Sequence, residues 1–232
     1  MRMRSDKEYM GKRARSSYYF RAQLVWSWVY RIKKRRIYRT IKIPGYYTMH
    51  ELAVTILESF NLSPDHHFGF YNTIDWPASP IAFETTEESP LLVDIMWRKM
   101  FSKGRKTIVY DVDEITVSRP FRNIGDYLLL IFDYGDLWIF LVELVHVRDE
   151  GLKRPEIVDS VGDSPVQYPE PETQTGIEIE KDFPEIENHP KLKNELLSYD
   201  ARTSKIIEEI MKKGKRIDEK SGIFTLDLDD VD

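Results

Sequence analysis

A strict alternation near the start of the chain constrains the fold more than any other feature. Tyr18, Phe20, Ala22, Leu24, Trp26, Trp28 and Tyr30 occupy every second position, with Arg21, Gln23, Ser27 and Arg31 on the intervening side. Successive side chains on a strand point to opposite faces, so the pattern predicts one long strand with an apolar, largely aromatic face. Seven aligned apolar residues cannot face water, and the next segments supply a cover. Residues 37–43 predict a second strand, with Ile37, Ile41 and Ile43 on one side and Pro44-Gly45 at its end. Thr48-Met49-His50-Glu51 has capping-box spacing: Thr48 can accept from the Glu51 amide while Glu51 reaches back to the Thr48 amide. Met49, Leu52, Ala53, Ile56, Leu57 and Phe60 then recur at helical spacing until Ser63-Pro64. A short strand is expected at 68–71. Strand, strand, helix, strand is the opening of a β-grasp-like α+β unit.

Residues 76–88 read as a loop by their Pro and Ser content. Ser89-Pro90 then opens an expected second helix through Leu92, Ile95, Met96 and Met100, ending near Gly104. Further strands are expected at 107–110 and 114–117. Residues 127–132 and 137–147 are apolar on both faces, which predicts two paired central strands joined by a tight turn. The fold class expected is α+β: a β-grasp-like ββαβ start, antiparallel strands with a tight hairpin, and C-terminal helices. The expected layout is a disordered basic arm at 1–16, an α+β domain at 17–160 and an acidic Pro-rich loop at 161–190. A C-terminal helical segment at 191–214 and an acidic tail at 215–232 complete it.

Charge is segregated along the chain. The 232 residues carry 34 Lys+Arg against 39 Asp+Glu, a net charge of -5, yet the first 45 hold 14 basic and 2 acidic residues. Lys33, Lys34, Arg35 and Arg36 fall at the tip of the expected first hairpin and form a candidate phosphate-binding surface, with Tyr19 and Tyr38 available for stacking. The alternatives are a solvated tip that keeps edge strands from pairing, or two chain ends that neutralise each other. Arg39 differs in kind. It lies mid-strand on the face of Ile37 and Ile41, where a buried guanidinium calls for a carboxylate, and Asp133 or Asp136 are the expected partners. The expected partner is nucleic acid or another protein, not a membrane.

The chain has no Cys, which excludes a disulfide scaffold and any Cys-ligated zinc or iron–sulfur site. It contains no Gly-x-x-x-x-Gly-Lys-Ser/Thr, Gly-x-Gly-x-x-Gly or Gly-x-Ser-x-Gly signature. The strongest catalytic candidate is the Asp133-Tyr134-Gly135-Asp136 turn, whose carboxylates could hold a divalent cation or act as an acid–base pair. The competing structural reading has each Asp accepting from turn amides around a Gly free to take positive φ. His66 could join the pair in a metal-assisted hydrolase, or anchor a loop by hydrogen bonds. His67, its neighbour, points to the opposite face of a regular strand and cannot share an ion with it. No cofactor is expected, and no local set of metal ligands is complete. No run reaches the roughly 18 apolar residues of a membrane helix, and a cytoplasmic protein is expected.

Two stretches are distinctive in combination. One is Ile37-Tyr38-Arg39-Thr40-Ile41-Lys42-Ile43-Pro44, followed by Thr48-Met49-His50-Glu51-Leu52 and Asp65-His66-His67-Phe68-Gly69-Phe70. The other is Phe132-Asp133-Tyr134-Gly135-Asp136-Leu137-Trp138, with Tyr168-Pro169 downstream. In this order, over about 18–170, the chain resembles the plasmid Ri open-reading-frame-three-like family, also labelled as an insertion-element passenger protein with a resolvase-derived name. The family's pattern is an aromatic-Arg strand ending in Pro, a Thr-Leu-x-Glu-Leu-like helix start and a His-x-x-x-Phe strand. A Tyr-Asp-Phe-Gly-Asp-x-Trp hairpin and a later Tyr-Pro follow. This chain has Phe140 where the family often has His after the hairpin Trp. It also has Glu170-Pro171-Glu172-Thr173 where the family carries a Cys-containing Pro-Pro-Glu-Asp segment. The resemblance implies a fold and an association with mobile elements, and no reaction. The resolvase label finds no support: Ser16-Ser17 lie in the expected arm, and the chain ends in an acidic tail that DNA would repel. The reading is therefore a non-enzymatic binding or interaction module, with a metal-assisted hydrolase using Asp133, Asp136 and His66 as the alternative.

Overall fold

The structure, a computed structural model, describes residues 14–27, 37–74, 79–85, 107–168, 189–192 and 194. The opening alternation forms strand β1, Ser17–Trp26, which pairs antiparallel with β2, Tyr38–Pro44. The capping box closes as its spacing predicts, with Glu51 N donating to Thr48 Oγ1 (3.1 Å) and Thr48 N donating to Glu51 Oε2 (2.7 Å). It starts helix α1, Met49–Ser59. Met49, Leu52, Ala53, Ile56 and Leu57 are fully buried against Tyr18, Phe20, Ala22 and Leu24 of β1 and Ile41 and Ile43 of β2. Burial at about 1.5–3 kcal/mol per large apolar side chain makes this the main tie between helix and sheet.

The chain then adds β3 (Phe68–Tyr71), β4 (Ile81–Glu84), β5 (Ile108–Asp111), β6 (Tyr127–Phe132), β7 (Trp138–Arg148) and β8 (Glu156–Val161). All eight strands share one sheet, in the order β5-β4-β3-β6-β7-β1-β2-β8. Every pairing is antiparallel except β4 with β5.

This architecture corrects the expected fold class. A β-grasp would place β3 beside β1. Here the β6–β7 hairpin sits between them, so β3 lies three positions from β1 in the strand order, and the protein is predominantly β. The two hairpin strands are apolar on both faces because both faces are covered. Leu128, Leu130, Phe132, Trp138, Phe140 and Val142 join the helix-side core, while Leu129, Ile131, Ile139 and Leu141 join a second cluster with Val25, Trp26, Tyr71 and Leu192. Trp26 was expected to share the face of Leu24. A register shift between them turns it to the second face instead.

Three further expectations change. The loop expected at 76–88 contains β4, four residues too short to show a period. Residues 114–117 form no strand; they are turns with one isolated bridge, Thr48 to Thr116. The boundary expected at 160–161, between the α+β domain and the Pro-rich loop, falls inside β8, an exposed strand at the sheet edge. The arm at 1–13, Trp28, Tyr30, the helix expected at 89–104 and nearly all of 191–232 lie outside the described residues. The described part of the C-terminal segment packs on the second face: His189 meets the Tyr127 ring at 4.6 Å, and Leu192 is buried.

Candidate functional site

The β6–β7 connection, residues 133–137, is built around Asp133. Its Oδ1 accepts from the amides of Gly135 (3.0 Å) and Asp136 (3.3 Å), and its carbonyl accepts from Leu137 N (2.6 Å). The positive φ values fall at Asp133 and Leu137, both 52°, and not at Gly135 as expected. Asp tolerates this region because its short side chain bonds the local backbone. Gly135 is explained by proximity instead, since a Cβ there would lie 3.2 Å from Asp133 Oδ1.

The loop between α1 and β3 packs on this turn. Asp133 N donates to His67 O (3.0 Å), and the His66 ring meets Phe132 edge-on at 6.3 Å. His66 Nδ1 is 3.0 Å from Asp65 Oδ1 and 4.0 Å from Asp133 Oδ2. Residues after β8 clasp the same loop. Gln167 accepts from Ser63 N (2.7 Å) and donates to Ser63 O (3.0 Å) and Asp65 Oδ1 (3.0 Å), so its amide takes the place of a neighbouring strand. Tyr168 donates to Asp65 Oδ2 at 2.7 Å.

These contacts set the protonation chemistry. The bonds from His66 and then Tyr168 hold the Asp65 carboxyl below its ordinary value. The bond to Asp65 raises His66, against a smaller opposing effect of burial, with Asp133 adding to the rise. Burial, then the charge of Asp133, raises Asp136. Burial, then the bond to Asp65, pushes the Tyr168 phenol up to about 12.

The proposed catalytic set is thus brought partly together. His66 comes within reach of Asp133, and Asp136 adds its charge nearby, but Asp133 is occupied as the turn's acceptor. Among the described residues no group of three or more His, Cys, Asp or Glu side chains could hold a metal ion. Sequence reasoning passed over Asp65, Gln167 and Tyr168 as site residues. Asp65 and Tyr168 stood within the recognised motifs, whereas Gln167 carried no signal.

Arg39 is buried, and its partners are not the expected carboxylates of Asp133 or Asp136. Its Nε donates to Ser59 O (2.9 Å). Its Nη1 donates to the carbonyls of Tyr38 (2.9 Å), Val161 (3.0 Å) and Gly162 (3.1 Å), and its Nη2 donates to Ser164 Oγ (3.0 Å). The guanidinium stacks 4.7 Å from the centre of the Phe60 ring. It sits at the C-terminal end of α1, whose last turn has no basic residue of its own, and so meets the negative end of the helix dipole. Planar donors reach several carbonyls at once, and the carboxylate charge that opposes the effect of burial comes from Asp163 in the same segment. Lys33, Lys34, Arg35 and Arg36 lie outside the described residues.

Among the described residues, an eight-stranded, predominantly β sheet with a capped helix, whose motif residues hold neighbouring backbone in place, defines the class of protein. A family model described as plasmid pRiA4b ORF-3-like protein matches residues 30–196, and the chain belongs to this family. The match extends beyond the 18–170 span of the resemblance at the C-terminal end. No curated protein matches the chain. Among solved structures, a protein of unknown function from Methanosarcina mazei Go1 is similar at 17% identity and a TM-score of 0.45, over 62% of this chain and 69% of that chain.

Proposed function

We propose that this protein is a non-enzymatic binding module. One observation carries the reading: two of the three candidate catalytic side chains, Asp133 and His66, are engaged in holding the fold. Asp133 caps its own turn, and Asp65 and His66 form a clasp with Gln167 and Tyr168. A hydrolase would need at least one of these groups free to activate water, or a metal ion to do so.

The partner is read from charge. Lys33, Lys34, Arg35 and Arg36 lie in a stretch that is strongly basic within an otherwise acidic chain. Such a segment takes a polyanion, nucleic acid above all, through phosphate contacts that weaken as salt rises. The test is electrophoretic retention of labelled DNA and RNA across a series of salt concentrations, with Lys33, Lys34, Arg35 and Arg36 changed to Gln in parallel. Retention that falls with salt and is lost in the variant is expected. Absence of salt-dependent retention overturns the polyanion partner. Metal-dependent turnover of an ester or phosphodiester, abolished in a folded Asp133→Asn variant, overturns the non-enzymatic reading.

A further inference from the structure

A second region of the molecule has no part in these contacts. At the edge of the sheet a groove of about 630 Å³ runs between α1 and β8. Its helix wall is the stripe Glu51, Val54, Thr55 and Glu58, which recurs at helical spacing. The facing wall holds Ile157 of β8. Ile157 pairs with Ile41, and directly opposed residues share a face, so both point to the helix side. Ile41 is fully buried there, whereas Ile157 is 53% exposed. The groove therefore has an apolar surface at the edge of the core that the helix leaves uncovered.

The opposite face of the same edge is acidic. Glu156 lies 3.8 Å from Lys42, and Asp159 accepts from Tyr38 Oη at 3.1 Å, so both carboxylates project away from α1. Lys42 is closer to Glu150, at 2.9 Å, which leaves Glu156 weakly neutralised. On the helix side, Glu58 is exposed, and its carboxylate makes no hydrogen bond or ion pair among the described residues. Arg154 is the opposing charge at the start of the groove. β8 pairs with β2 on one side and ends the sheet on the other. An open edge beside a helix is a template for an added strand. The carboxylates and the bulge at Val158 work against pairing with a second copy of the same edge. A basic strand meets those carboxylates as partners.

We propose that the edge of β8 binds an extended segment of a partner protein in which apolar and basic residues alternate. Successive side chains of a strand point to opposite faces. Laid beside β8, the apolar ones enter the groove onto Ile157 and Val54, and the basic ones reach Glu156 and Asp159 on the far face. The alternation required of the partner is thus set by the two faces of this edge. The site goes beyond the polyanion contact proposed above and takes the opposite charge, so either can fail without the other.

The test is fluorescence polarisation of a labelled hexapeptide, Val-Lys-Val-Lys-Val-Lys, titrated with the full chain; its length matches the six residues of β8. Saturable binding is expected, with Val-Glu-Val-Glu-Val-Glu and Gly-Lys-Gly-Lys-Gly-Lys each about tenfold weaker or more. Two variants of exposed side chains probe the two faces: Ile157→Lys on the helix side, and Glu156→Gln with Asp159→Asn on the other. Each is expected to weaken the peptide by about tenfold while leaving the unfolding midpoint near that of the parent chain. Glu114→Lys changes the net charge as much as the double variant does, at an exposed position away from the edge, and should leave binding unchanged. The peptide should also slow hydrogen exchange of the 156–161 amides. No saturable binding at millimolar concentration overturns the proposal, as does equal binding of either control peptide. So does an equal loss in Glu114→Lys, or binding unchanged in both edge variants. A dimer that the peptide dissociates puts a second copy on the edge. Faster exchange of the 156–161 amides when Lys33, Lys34, Arg35 and Arg36 are changed to Gln puts the chain's own basic segment there. Either result overturns an external partner.

Discussion

Replacing Arg39 probes the most connected buried polar group of the structure. Its guanidinium ties β2 to two other pieces of chain: the end of α1 at Ser59, and residues 161–164 at and beyond the end of β8, through Val161, Gly162 and Ser164. A hydrogen bond from a charged donor contributes about 1.5–3 kcal/mol, and a weaker or partly hydrated one about 0.5–1.5 kcal/mol. The Ser59 bond is buried and takes the larger figure. The others are part-buried, and water replaces some of what they lose. Arg39→Met is therefore expected to cost about 3–5 kcal/mol, a large share of the ~5–15 kcal/mol that holds a typical domain. Arg39→Lys keeps the charge but has a single nitrogen, which cannot serve Ser59 and Ser164 together, and about 2–3 kcal/mol is expected. Ser164→Ala removes one partner only, at about 0.5–1.5 kcal/mol, and keeps the series readable should the Met variant not fold. Urea unfolding followed by tryptophan fluorescence gives each value from its midpoint and slope. A Lys variant within about 0.5 kcal/mol of the parent would refute the argument, because charge alone would then suffice. A double-mutant cycle with Asp136→Asn supplies a second check: coupling above about 1 kcal/mol would restore the carboxylate partner that the geometry removes.

Gly69→Ala should destabilise by about 1–3 kcal/mol, since the new Cβ would lie 2.5 Å from Tyr71 Oη and 2.8 Å from Tyr71 Cζ. Tyr71→Phe should relieve part of that cost, and thermal unfolding of both single variants and the double checks it. Thr48→Ala should lower stability by about 1 kcal/mol through loss of the capping box, read from the same melts. The clasp at His66 should depend on pH. The folded-state pKa of His66 is raised, so its contribution is full below the unfolded value of ~6.5 and is lost as pH rises through the folded value. Asp65 is lowered, so its contribution is present above ~3.9 and is lost as pH falls through its own folded value. Hydrogen exchange of the 61–67 amides should be slowest between those limits, and His66→Gln should flatten the upper limb. A flat parent profile would separate the clasp from His66 protonation.

The elements most legible in the sequence were those whose period and end signals agree locally. β1 shows its alternation, α1 its capping box and 3.6-residue stripe, and β6 and β7 their two-sided apolar runs. The arrangement of those elements was not legible, because strand order is decided by non-local pairing. The opening segments fit a β-grasp equally well until a hairpin more than a hundred residues after β1 takes the place beside it. β4 and β8 escaped for a different reason. One is too short for a period, and the other is an edge strand whose exposed face needs no apolar pattern.

The motif residues were conspicuous because close approach dictates their identity, and that explains why they suggested chemistry without supplying it. Gly69 makes room for the Tyr71 ring, and Gly135 for the Asp133 carboxylate. The two stretches holding them are tied on both faces of the sheet. On one face the His66 ring lies against Phe132. On the other the hydroxyls of Tyr71 and Tyr134 meet at 2.6 Å, with Tyr71 also donating to Glu84. A mutation in either stretch should therefore act first on the packing of β3 against β6 and only afterwards on binding.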